Sequence, residues 1–221
     1  MLHLRLHLFG LIGFLLVLTT ESRVGDSSQL PFCSETQQCL LFDLMCKTDQ
    51  YEVRHYESVK WVTTEEASWF METASMGAFW RLYQYISDNR IDMTSPVIIK
   101  INHTEPQWWM PKFFSMSFLL PAEHQKNPPK PTNDQVRIVE MPDMKVYVKS
   151  YSGWMTTASD SYNADQLPSA LPATAKYNKA YHYAAGYNSP MTMLNRHNEV
   201  WFVAEGEAEC SSSEESSMET D

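Results

Sequence analysis

The chain has 221 residues and a formal charge of −10, with 43% hydrophobic and 13% aromatic residues. That apolar content excludes wholesale disorder. The acidic balance excludes nucleic acid and an anionic membrane surface as partners, because phosphate recognition rests on a basic face.

The first residues read as a leader. Leu8 to Leu18 form an apolar run behind a short segment with one arginine, Arg5, and the small residues near Ser22 mark a cleavage site, so residues 1–22 are expected to be a signal peptide. The run is shorter than the ~20 residues of a membrane span. The expected product is a secreted chain with no membrane partner after cleavage.

Residues 23–50 form a cysteine-containing extension. Cys33, Cys39 and Cys46 precede the globular part and Cys210 follows it. Four cysteines allow three connectivities. One bridge inside the cluster and one to Cys210 is the favoured arrangement, because it staples both ends of the domain. The spacings match no common zinc pattern and no histidine neighbours the cluster. Asn102-His103-Thr104 is a glycosylation sequon in an exported chain.

Tyr51 to Tyr56 and Val59 to Thr64 read as short strands. A helical segment follows from Ala74, emptying into Ile91-Asp92-Met93-Thr94-Ser95-Pro96-Val97. Along it Met76, Phe79, Trp80, Tyr83 and Ile86 recur at offsets of three and four, with Leu82 and Tyr85 widening the stripe. Such a face either covers a sheet or lines a cleft. Val97 to Ile101 is a third strand. In Phe113 to Leu120, Phe114, Met116, Phe118 and Leu120 alternate with serines, the pattern of a half-buried antiparallel strand. Pro121 to Pro131 is a loop.

The order then repeats. Val136 to Glu140 and Lys145 to Ser152 are strands, Ser161 to Lys179 is a helix interrupted by Pro168 and Pro172, and His182 to Tyr187 and Glu199 to Val203 are strands. The predicted fold is α+β: a twisted antiparallel sheet or open barrel of about eight strands, flanked by two helices, with a pseudo-twofold repeat of strand, strand, helix, strand, strand. Residues 51–204 are the domain, and 205–221 an acidic, Ser-rich, disordered tail.

Tyr51-Glu52-Val53-Arg54-His55-Tyr56, Lys60-Trp61-Val62, Ile91 to Val97, the loop from Leu120-Pro121 and Tyr151-Ser152-Gly153 resemble, in order, the SOUL haem-binding protein family. So does the most specific block, Ala185-Gly186-Tyr187-Asn188-Ser189-Pro190 through Asn195-Arg196-His197-Asn198-Glu199-Val200-Trp201. The resemblance implies an open apolar groove that takes haem or a related tetrapyrrole, the one small-molecule partner expected.

A tetrapyrrole is a flat apolar disc with two carboxylates on one edge. Burying ~300 to 400 Å² of it yields roughly 8 to 10 kcal/mol before association costs, enough for tight binding without an iron ligand. Met76, Phe79, Trp80 and Tyr83 are the expected wall, and Arg54, Lys60, Arg81 or Arg90 the rim cations. The resemblance places His55 where one branch of the family has a histidine proposed as the axial iron ligand. An internal hydrogen bond is its other reading, and His182, His103, His124 and His197 are weaker candidates. Asn198-Glu199 is expected to serve the fold, pairing with a cation such as Arg196. No nucleophile elbow, zinc-protease helix or phosphate loop is present, so a non-enzymatic carrier is expected. The alternative is an extracellular interaction protein on the same fold with little or no haem binding.

Overall fold

The computed structural model describes residues 23–103 and 109–210. The leader, Thr104 of the sequon and residues 211–221 of the tail lie outside the described residues.

Strands β1 (Val24–Asp26) and β2 (Gln38–Leu40) form a small antiparallel pair within the extension. There follow β3 (Asp43–Lys47), β4 (Glu52–Tyr56), β5 (Val59–Ser68), helix α1 (Met71–Asp88), β6 (Val97–Asn102) and β7 (Lys112–Leu119). Helix α2 is one turn, Ala122–Gln125, inside the proline-rich loop. Then come β8 (Val136–Met141), β9 (Met144–Tyr151), α3 (Thr157–Ala170), β10 (Tyr181–Gly186) and β11 (Asn198–Val203).

Strands β3 to β11 make one nine-stranded sheet, ordered β3-β4-β9-β11-β10-β6-β7-β5-β8. All pairings are antiparallel. The ninth strand, β3, comes from the extension and pairs with β4 at one edge. Edges at β3 and β8 leave the sheet open. Yet β8 and β9 stand six places apart in that order and are joined only through Pro142 and Asp143. Their ends must meet, so the sheet curls. The central pair β6–β10 is flanked by β7 and β11, then by β5 and β9.

One face of the curled sheet carries the helices, α1 across β5 and β7 and α3 across β9 and β11. Phe114, Met116, Phe118 and Leu120 join Val62, Leu82 and Ile86 in the core under α1, as their alternation predicts. The concave face gathers Trp61, Ile98, Val146, Tyr183 and Trp201, and the extension adds Val24, Leu40 and the Cys33–Cys39 bridge to that core. Among the described residues no helix is long and apolar enough to cross a membrane.

The helices differ from expectation at their ends. α1 begins at Met71, whose N–H is capped by Thr157 Oγ1 at 3.0 Å, a partner remote in sequence. α3 begins at Thr157, four residues early, behind a capping box of Thr156 and Ser159. It retains Pro168 in its last turn and stops before Pro172, because proline removes a helix donor and clashes with the preceding turn.

Candidate functional site

The outward face of α1 carries an exposed apolar stripe. Small residues at Ala74 and Ala78, with Met71, Leu82 and Tyr85, press against the sheet. At 100° per residue, Met76, Phe79, Trp80 and Tyr83 fall on the flank and crest beside that buried face. Met76, Trp80 and Tyr83 are 67%, 63% and 42% exposed. Phe79 is half-buried and anchors the stripe to the sheet, its ring centroid 5.3 Å from that of Phe118. It also stacks on Tyr83 at 5.9 Å and meets Trp80 edge-on at 5.7 Å. Three of the four residues expected as a wall are therefore one ring cluster, and Met76 stands on the same side of the helix, three and four positions before Phe79 and Trp80.

A further set of apolar groups, without a periodic signal in the sequence, extends from this helix. Thr157 donates to Glu72, so the turn carrying Trp154 and Met155 abuts the start of α1. Arg196 lies 4.5 Å over the Trp154 ring and donates to the Asn188, Ser189 and Thr192 carbonyls. Glu35 accepts from Asn188 and Thr192 of the same loop. The loop thus holds Met191, Met193 and Leu194 outward in a fixed frame.

Arg54 and His55 lie on the other half of the sheet, on β4, separated from β7 by β9, β11, β10 and β6. Arg54 is 1% exposed and sits on the concave side. Its guanidinium meets Glu199 through two bonds of 3.1 and 3.0 Å, donates to Glu52 at 2.8 Å, and lies 4.1 Å from the Phe42 ring centroid. Glu199 also accepts from Tyr187 and Trp201 and pairs with His197. Burial pushes the Glu199 carboxyl up, but the Arg54 charge and the hydrogen bonds from His197 and Trp201 overcome it and hold it at about 2. The cation partnering Glu199 is thus Arg54, and Arg196 caps a loop instead.

His55 is bound at both ring nitrogens, to Asp143 at 2.8 Å and Asp43 at 3.4 Å, and the Asp143 hydrogen bond chiefly raises its pKa. It shares a strand face with Val53, as alternation predicts, but at the uncovered end of the strand. The structure does not bring it to the aromatic cluster. His182 is buried between Asp160 and His103, and His197 is stacked on Phe32. Arg81 is committed to Glu66 and Thr64. Lys60 reaches the Lys126 carbonyl, and Arg90 follows the last turn of α1; neither makes an ion pair among the described residues.

Cys33 pairs with Cys39 and Cys46 with Cys210, with Cα–Cα distances of 6.3 and 6.5 Å. This is the favoured connectivity. Residues 205–210 of the expected tail are pinned by that bridge, by the Lys145–Glu207 ion pair and by the Glu209 N–H, which donates to Tyr147. Asn102 ends β6 exposed.

Comparison with known proteins follows the same outline. A family model described as SOUL heme-binding protein matches residues 37–203. Heme-binding protein 2 of Homo sapiens is 33% identical over 165 residues, 71% of this chain and 79% of that protein. Heme-binding protein 1 of Xenopus laevis is 31% identical over 158 residues, 69% and 83% of the two chains. Among solved structures, the C-terminal domain of EcmrR superposes with a TM-score of 0.52 at 7% identity, covering 71% of this chain and 97% of that one, a likeness of fold alone.

Proposed function

The chain belongs to the SOUL heme-binding protein family, and from that membership we propose that it binds haem or a related porphyrin against the exposed aromatic face of α1. The observation that carries this reading is the cluster of Met76, Phe79, Trp80 and Tyr83, an apolar surface that a folded protein rarely leaves to water unless something covers it. Its rings suit a flat disc. Of the four candidate rim cations, Arg90 and Lys60 make no ion pair among the described residues and are the ones left for the ligand's carboxylates. Iron would add Lewis acidity to the ligand, but this chain's part is to bury the ring. Since both His55 nitrogens are taken, hydrophobic contact supplies the affinity.

The role is that of a carrier without chemistry of its own. Two disulfides favour an oxidising compartment, in line with a secreted protein.

Absorbance titration with haem tests the site. Trp80→Ala, at an exposed position, is expected to fold normally and weaken binding about tenfold, in line with a lost aromatic contact of ~1.4 kcal/mol or more. His55→Ala is expected to leave the Soret position unchanged. A Soret shift lost in His55→Ala and kept in Trp80→Ala would move the site to β4. No shift in the unaltered chain would favour the interaction-protein alternative.

A further inference from the structure

On the helix-bearing face of the sheet, three titratable side chains tie α3 to β10 and to the residue that follows β6. Asp160 Oδ2 of α3 lies 2.8 Å from His182 Nε2, and His182 Nδ1 lies 2.6 Å from His103 Nε2. His103 Nδ1 ends the chain 2.9 Å from the Lys179 carbonyl. Asp160 and His182 are buried, whereas His103 is exposed.

The hydrogens these contacts need can be counted. A carbonyl only accepts, so His103 Nδ1 carries one. The contact between the rings needs a second and the contact to Asp160 a third. Two neutral imidazoles and a carboxylate hold only two, so the closed chain contains one proton more than its members hold separately at neutral pH. Asp160 makes no ion pair with lysine or arginine among the described residues, and its Oδ1 is buried without a hydrogen-bond partner. A buried carboxylate in that position calls for a positive charge beside it, and His182 is the group in contact.

We propose that His182 and His103 share this extra proton, and that the chain is a proton-operated latch that acid opens. A further proton would set N–H against N–H across the 2.6 Å contact, and the exposed His103 ring would swing into water. Burial and the nearby His182 lower the His103 pKa against the pull of the Lys179 carbonyl, Asp160 and Asp165, so opening comes below the ordinary histidine value of about 6.5. The other groups facing the chain do not titrate there. Burial raises the pKa of Tyr151 on β9, the Lys179 Nζ lies 5.7 Å from the Tyr177 ring centroid, and β11 contributes the uncharged Phe202 ring, 5.5 and 5.8 Å from the two imidazoles.

Nitrogen-15 NMR of the imidazoles in the full chain tests the latch. At about pH 7 His182 is expected to carry hydrogen on both ring nitrogens and His103 on Nδ1 alone. Asp160→Asn, checked for cooperative unfolding, should return His182 to the neutral form. The His103 amide, which donates to the Ala180 carbonyl at 2.8 Å, should exchange about tenfold faster at about pH 5 than at about pH 7 once the intrinsic rate is divided out, the worth of one charge-assisted contact. A neutral His182 in the unaltered chain, a charged His182 in Asp160→Asn, or corrected exchange that does not change with pH would each overturn the proposal.

Discussion

Glu199 shows how one buried carboxylate can set the pH range over which the fold is stable. It is fully buried, opposite Arg54, and its carboxyl is held at about 2 against an ordinary 4.5. A depressed carboxylate stabilises the fold above its unfolded value and loses that contribution as pH falls toward the folded one. Unfolding monitored in urea should therefore show a midpoint that is steady above about pH 4.5 and drops between there and about pH 2. Glu199→Gln leaves the buried Arg54 with only the partly exposed Glu52 as counter-charge, a loss of up to about 3 kcal/mol, and should flatten that pH dependence. A variant as stable as the parent would refute this role. In the sequence Arg54 reads as a rim cation on the first strand, because nothing local announces a partner 145 positions away. His55 has the same history. Its parity was legible, but where the cover over β4 ends depends on α3 and on Asp143, both distant in sequence.

At the scale of elements, the period of α1 identified a helix and its sticky residues, and alternation fixed the buried side of β7. Which stripe of α1 meets the sheet was not legible, since apolar residues occupy more than half its circumference. The alanines settle it. Ala74 and Ala78 let the helix approach β5 and β7 closely, which turns Met76 and Trp80 outward. The extension was legible only through its cysteines. Its strands are too short to carry a period, and β3 is recognisable only by its pairing with β4. The two bridges should differ in weight. Cys46–Cys210 closes a separation of 164 residues and Cys33–Cys39 one of 6, so on the loop-entropy account Cys210→Ser should cost about 5 kcal/mol and the Cys33→Ser/Cys39→Ser pair about 2 kcal/mol. Chemical denaturation of the two variants checks the order, and the reverse ranking would show that the short bridge is the principal clamp.

The whole molecule is a curled sheet with two differently used faces. Helices cover one and leave an aromatic crest, while the other closes over its own core and the N-terminal extension. Residues 37–203 match the family, and the first strand of the extension lies before that match. The fold class, an antiparallel sheet with helices packed on it, was legible because strand and helix patterns followed in order; the strand order within the sheet was not. The remote contacts were not, among them the frame that Glu35 and Arg196 build for the loop bearing Met191.

On the function proposed above, a flat pigment is held by ring contact with α1 and not by an iron ligand. Comparing the dissociation constants of haem and metal-free protoporphyrin for the unaltered chain, by fluorescence quenching under one set of conditions, tests it most directly. Values within about threefold of each other, a difference of under 1 kcal/mol, are predicted. A porphyrin bound a hundredfold more weakly than haem would contradict the account, because the iron would then supply the affinity.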